Sequence, residues 1–344
     1  MTDILKTLTD PAILFFAVGV LIGSVRSNLQ IPAPVTKFLS LYLLMAIGFK
    51  GGQALGQAGL GGDGLKVLGV SLLLAVAIPA LLYPVLSRRI NLFDAAAIAA
   101  TYGSVSAVTF VTASQFLVGQ GDEAGGYLTV ALVLMESPAI IMAVLLATWA
   151  RSRIAAGHVS LLHDHSLKTL AAEGESTPSK ALSIKSVLHE AFTDGAHLLL
   201  IGSVVVGALS GAAGGAAMAP FVNDLFKGLL AFFLLDMGLL VARQLREVRD
   251  VGPFLISVGL IVPLVGATLA LGLSTLFGFS VGDATLLAVL AASGSYIVVP
   301  AVVRYAIPEA RPSRYFTMSL AITFPFNIIV GIPLYYAAAQ ILLG

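Results

Sequence analysis

Apolar runs of helical length, separated by short polar breaks, recur from one end of this chain to the other. Hydropathy and breaker residues mark ten spans: Pro11 to Ser27, Pro34 to Leu55, Leu65 to Leu86, Leu92 to Val118, Gly125 to Trp149, Ala196 to Gly214, Ala219 to Ala242, Phe254 to Phe277, Val281 to Tyr305 and Arg314 to Leu343. Most approach or exceed the roughly 20 residues that a helix needs to cross a bilayer. A transmembrane barrel would show short alternating segments instead, so the pattern predicts an all-α integral membrane protein. The only long polar segment, Ala150 to Asp194, separates the fifth span from the sixth. It contains "AAEGESTPSK" and then the amphipathic "SIKSVLHEAF", and reads as a cytoplasmic linker ending in a surface helix. The chain thus divides into residues 1–150, a linker over 151–195, and residues 196–344.

The two long parts resemble each other. "KFLSLYLLMAIGFKGGQAL" from Lys37 aligns without a gap on "KGLLAFFLLDMGLLVARQL" from Lys227, which matches Gly48 with Gly238. "DAAAIAATYGSVS" from Asp94 matches "DATLLAVLAASGS" from Asp283, and "YLTVALVLMESPAII" from Tyr127 matches "YFTMSLAITFPFNII" from Tyr315. Each part holds five spans, an odd number, so the two enter the membrane in opposite directions. The expected architecture is a five-plus-five inverted repeat, a design typical of secondary transporters.

Composition sharpens this picture. Of 344 residues, 58% are hydrophobic and 11% charged, where soluble domains carry about 25% charged residues. The net charge of +1 argues against nucleic acid as a partner, and with no cysteine there is neither a disulfide framework nor a thiolate metal site. Asp3, Lys6 and Asp10 do not form the basic start of a signal peptide, so the run after Pro11 is read as the first span. With the amino terminus outside, 15 of the 19 Lys and Arg residues fall on the inner connections. That distribution places both termini outside, and the expected location is a bacterial inner (plasma) membrane with both termini periplasmic.

"TYGSVSAVTF", from Thr101 to Phe110, interrupts the fourth span with a glycine and several hydroxyls. Asp94 to Ser104 covers ten residues, about 15 Å of helix, or half the hydrocarbon thickness. The same interval separates Asp283 from Ser293, measured from the opposite surface. Glycine and serine suit a helix break and an N-cap, and the second half of a broken helix turns free amides and a partial positive charge toward the break. Two such ends meeting near the midplane would cradle a small monoanion, while nearby carbonyls and hydroxyls suit Na+. The alternative is that these small residues serve close helix packing.

Glu136, beside Pro138 in the fifth span, is an intramembrane carboxylate and hence a candidate cation ligand or proton carrier; a buried structural pair is the competing reading. The corresponding "TFPFN" offers Thr323 and Asn327 beside Pro325, and Thr109 adds a hydroxyl near the first break. Asp236 in "LLDMG" is a further acid, open to a structural or a coupling role. Gly-rich "GQAGLGGDGLK" lacks the ending of a phosphate loop, and "HDH" at 163 to 165 lacks a third metal ligand. No nucleophile-and-base spacing appears in the spans, and an enzyme is not expected.

"YGSVSAVTF", "MESPAI", "LLDMGL" and "SGSYIVVPAVVRYAIPEARPS" together resemble the SbtA-type sodium-dependent bicarbonate transporter family over essentially the whole chain. The resemblance implies ten helices with two crossing broken helices, an elevator-like mechanism, a homotrimer, Na+ symport of bicarbonate, and control by a P-II-like regulatory protein from the cytoplasmic side. Carried over by position, the anion pocket falls on Gly103, Ser104, Val105 and Ser106 with Ser293, Gly294 and Ser295. Tyr296 stands where the cyanobacterial branch has an acidic residue, and its hydroxyl can serve either ion. The leading expectation is a Na+-coupled importer of a small anion, with Glu136, Thr109, Thr323 and Asn327 for the cation. A cation/proton antiporter or an organic-anion symporter on the same architecture, and a membrane receptor that docks a signalling protein through the linker, are the alternatives.

Overall fold

The computed structural model describes residues 10–59, 61–164 and 195–344, and all regular structure among them is helical. In chain order the first eight helices are α1 Pro11–Ser24, α2 Ala33–Ala58, α3 Gly61–Leu86, α4 Leu92–Gly103, α5 Ala107–Gln120, α6 Tyr127–Asp164, α7 Gly195–Ala219 and α8 Phe226–Gln244. Then follow α9 Pro253–Phe277, α10 Val281–Ala291, α11 Val298–Ala306 and the composite α12, Pro312–Leu343. Among the described residues, seven helical stretches are long and apolar enough to cross a membrane; the longest, Leu198–Gln244, joins α7 to α8 through the wide turn Pro220–Asp224. Two shorter apolar helices, α1 and α10, accompany them.

Several boundaries move for local reasons. The first helix stops at Ser24, because Arg26 takes a left-handed conformation at φ 59°. The fifth span does not end at Trp149: α6 continues to Asp164, so the first part of the expected linker is helical. There Arg151 donates to both carboxylate oxygens of Glu309 and to the Ala306 carbonyl, and Arg153 lies over the Trp149 ring, which gives the charged turn partners without leaving the helix. The "SIKSVLHEAF" stretch lies outside the described residues. In α12, π-helical turns at Met318–Thr323 and Asn327–Gly331 flank Pro325, and these wide turns absorb the carbonyl that proline leaves without a donor.

Two helix pairs are sealed by glycine. Along α2, Gly48, Gly52 and Gly56 recur every fourth residue on one face and meet Leu200, Val204 and Ala208 of α7. A Cβ on Gly52 would lie 2.0 Å from the Val204 carbonyl oxygen, and one on Gly207 would lie 2.2 Å from that of Phe49, so the backbones touch. On α1, Gly19 and Gly23 meet α8 in the same way, with Gly238 of α8 against Phe16. In both pairs the contacting residue numbers rise together, so α2 runs parallel to α7 and α1 parallel to α8.

The remaining helices pack in two matching sets, α3 with α4 and α6, and α9 with α10 and α12. Asp94, in the first turn of α4, accepts from the Arg311 amide (2.7 Å) and from Arg314 Nη1 (2.9 Å) at the start of α12. Asp283, in the first turn of α10, accepts from the Gly125 amide (2.7 Å) and the Tyr127 hydroxyl (2.5 Å) at the start of α6. Each acid thus fastens the half-helix that it begins to a helix of the other set.

Candidate functional site

Both expected breaks are present as interruptions of regular helix. At the first, α4 ends at Gly103, Ser104 is extended (φ −100°, ψ −179°), and Ser106 caps α5. Its Oγ accepts from the Thr109 amide (3.2 Å) and from Thr109 Oγ1 (2.8 Å). At the second, α10 gives way after Ala291 and α11 begins at Val298, with Ser295 Oγ accepting from the Val299 amide (3.3 Å). The two breaks touch, since the Ser295 amide donates to the Thr101 carbonyl at 3.0 Å. Ser104, Ser106, Ser293 and Ser295 are all buried.

A cavity of about 70 Å³ opens beside this junction, between the glycine-sealed pairs and the interrupted helices. Ser106, Ala107 and Val108 of the first break and Ser295, Tyr296 and Ile297 of the second form one wall. The first amides of α5 have no intrahelical acceptor, so they are available to a ligand there. Half-buried Glu136 and Ser40 add polar groups, and Leu200 and Phe233 complete an otherwise apolar lining.

Of the residues singled out in sequence, Val105, Ser106, Ser295, Tyr296 and Glu136 reach this cavity. The others stand behind it. Gly103 serves packing: a Cβ there would lie 2.7 Å from the Pro79 ring and 3.1 Å from the Ala75 carbonyl oxygen. Gly294 fits more loosely, 3.3 Å from Ser319 Cβ by the same measure. Ser293 Oγ donates to the Val289 carbonyl (2.6 Å). Ser104 Oγ is buried with no partner among the described residues, and the buried Tyr296 hydroxyl sits beside Ser106 without reaching hydrogen-bonding geometry. A buried polar atom without a partner is costly, so these two oxygens mark where a polar ligand would be welcome.

The four expected cation ligands are not brought together. Thr109 is bonded to Ser106 behind the cavity wall. Thr323 Oγ1 donates to the Gly259 carbonyl (2.7 Å), and its single proton thus spent, it accepts from the Tyr102 hydroxyl (2.6 Å). Asn327 donates to the Ala292 carbonyl (2.8 Å) and accepts from Tyr335 (2.9 Å), bracing the end of α10 from the far side. Asp236 accepts from Thr36 Oγ1 (2.5 Å), a structural pairing away from the cavity.

Sequence reading missed Lys50. It lies in a second cavity of about 280 Å³, with its ammonium 4.4 Å from the centroid of the Phe226 ring and with Ser114 and Asp122 nearby. From the first cavity to this one, lining residues advance along α2 and α5 (Leu44 to Lys50, Val111 to Ser114) and retreat along α6 and α8 (Leu132 to Thr129, Phe233 to Phe226). Two helices thus run opposite to the other two, and the second cavity continues the first along all four. A lysine inside an apolar run was the available signal.

Several membrane-length helices, with two interrupted helices whose breaks meet beside a partly polar cavity, have the character of a membrane transport protein. Residues 11–340 match the Na+-dependent bicarbonate transporter superfamily, and the chain belongs to that superfamily. No curated relative matches it. Membership makes it a transporter, with Na+ as coupling ion and a small anion, bicarbonate, as the implied substrate.

Proposed function

We propose that this protein imports bicarbonate, or a similar small monoanion, by Na+ symport, binding it where the two helix breaks meet. The observation that carries this reading is the junction itself. Two interrupted helices are tied at Ser295 and Thr101, the α5 amides face a cavity, and Ser104 and Tyr296 keep buried oxygens without partners. In this reading the amides of Ala107 and Val108, with Ser104, Ser106, Ser295 and Tyr296, hold the anion. Val105, Gly103, Ser293 and Gly294 shape the backbone around it. Glu136 supplies the hard oxygen ligand that suits Na+, and Thr109 holds the Ser106 cap from behind the cavity wall. Thr323 and Asn327 position the second break instead of ligating.

The inverted repeat is supported by swapped pairs. Gly48 and Gly238, which align between the halves, each seal a helix of the opposite half, and Asp94 and Asp283, also aligned, each hold the start of the opposite half's last helix. Parallel pairing of α1 with α8 and of α2 with α7 is what five spans per half require. An elevator-like cycle then moves the interrupted helices against the glycine-sealed pairs, with the cavity at their boundary. We extend the reading to a homotrimer in a bacterial inner membrane with both termini periplasmic, open to a P-II-like protein on the cytoplasmic side.

Organic-anion symport is the second reading, favoured by the mostly apolar lining of the cavity. Uptake of labelled bicarbonate into proteoliposomes under an imposed Na+ gradient tests both. Accumulation that small carboxylates do not suppress supports bicarbonate. Suppression by carboxylates, with their own Na+-driven uptake, supports the second reading, and pH-driven Na+ exchange without anion uptake refutes both.

A further inference from the structure

A third cavity, of about 390 Å³, lies at the far end of the α1–α8 pair, where both helices finish. Arg26, from the turn after α1, and Arg243 and Arg246, from the end of α8, line it with Ser27 and Gln30. Among the described residues none of these arginines lies in a salt bridge, and the one hydrogen bond from the three is a long one, from Arg243 Nη2 to the Leu29 carbonyl at 3.5 Å. Asp236, the nearest acid along α8, accepts from Thr36 and feels the charge of Arg243 without forming an ion pair with it.

The backbone is bent to build this arrangement. Arg26 is the one non-glycine residue at positive φ (59°) among those described, a conformation disfavoured for a side chain of this size. It reverses the chain so that Ser27 to Gln30 come back over the end of α8. Below, α1 and α8 are in contact, with a Cβ on Gly23 only 2.6 Å from that of Ala242, so the cavity has a closed floor and opens between the helix ends. Three guanidiniums around one space repel each other unless an anion joins them, and their flat donor forks suit phosphate oxygens.

The flank of the cavity decides which phosphate. Leu21 and Val25 of α1 are 64% and 69% exposed, and Leu29 and Leu245 are exposed at the rim. An apolar strip leading to a basic pocket at a helix-pair end matches a headgroup with acyl chains attached. We propose that Arg26, Arg243 and Arg246 form a binding site for the phosphate headgroup of an anionic phospholipid, with its chains lying along α1. The site is independent of the transport reading, because its readout is lipid retention.

The test uses the full chain purified in detergent. Native mass spectrometry and thermal unfolding are followed while phosphatidylglycerol, phosphatidylcholine or inorganic phosphate is added. Phosphatidylglycerol is expected to remain bound and to raise the unfolding temperature, phosphatidylcholine and inorganic phosphate to do neither. The triple variant Arg26→Gln, Arg243→Gln, Arg246→Gln should weaken phosphatidylglycerol binding by about a hundred-fold, and Arg246→Gln alone by several-fold. If the triple variant does not elute as folded protein, Arg243→Gln and Arg246→Gln singly decide by the same readout. Equal retention by the variants, equal retention of phosphatidylcholine, or the same stabilisation by inorganic phosphate overturns the proposal.

Discussion

The glycine-sealed pairs and the block of interrupted helices solve the same packing problem by opposite means. In α1–α8 and α2–α7 the helix backbones meet directly, at Gly19, Gly52, Gly207 and Gly238, and few polar side chains take part. Around the breaks, backbone and side-chain oxygens are satisfied one by one: Asp94 and Asp283 hold helix starts, Thr323 and Asn327 hold carbonyls, and Ser295 holds Thr101. Direct backbone contact has no slack. A block bonded within itself and facing the pairs across a cavity can shift as a unit, which is the mechanical content of the proposed elevator.

The largest effect is expected where there is no slack. Gly52→Leu should push α2 from α7 at a cost of roughly 3 kcal/mol or more, and fluorescence-detected size exclusion should show loss of folded protein. Gly228→Ala, where added bulk meets nothing within 4 Å, should stay within about 0.5 kcal/mol of the parent. Comparable behaviour of the two would remove direct backbone contact as the source of the loss.

Next come the two acids. Asp94→Asn removes the partner of a partly buried Arg314, so a loss of about 3 kcal/mol is expected. Asp283→Asn faces only neutral donors and should cost about 1–3 kcal/mol. Thermal unfolding in detergent should rank them in that order. Tyr102→Phe, which removes the hydroxyl donor to Thr323, should cost about 1 kcal/mol.

The smallest effect lies at the surface. Burial alone would raise the Glu309 carboxyl, but hydrogen bonds from Arg151, together with its charge, hold it below the ordinary carboxylate value. The stability it contributes is therefore present above that ordinary value and lost as pH falls through the lowered one. Because both side chains are more than a third exposed, Glu309→Gln should cost at most about 0.5 kcal/mol near neutral pH. The difference between variant and parent should vanish in acid; a difference that persists there would exclude the ion pair as its source.

Much of this arrangement was legible in sequence because a membrane punishes unpaired backbone. Asp94 and Asp283 mark matched depths, and Gly103 to Ser106 and Ser293 to Ser295 mark breaks, because glycine and serine are poor in a helix interior and good at its ends. What could not be read is direction. Gly103 and Ser106 lie three residues apart, yet one packs on Pro79 and the other lines the cavity. Thr323 and Asn327 likewise looked like ligands until their partners, Tyr102, Gly259 and Ala292, were known. Lys50 stood out only as a lysine inside an apolar run, and neither the cavity that it lines nor the arginine cavity was visible, since each needs helices distant in sequence to be placed side by side.

The most direct measurement is Na+-driven bicarbonate uptake by Ser106→Leu in proteoliposomes, with Gly228→Ala as control. Ser106 caps α5 and lines the cavity, so leucine there removes the cap, fills the space and blocks approach to the α5 amides. Folded protein of normal oligomer size, with uptake reduced to background while the control transports at the parental rate, is the predicted result. Parental rates from a folded Ser106→Leu protein would place the anion elsewhere and contradict the assignment of the helix breaks as its site.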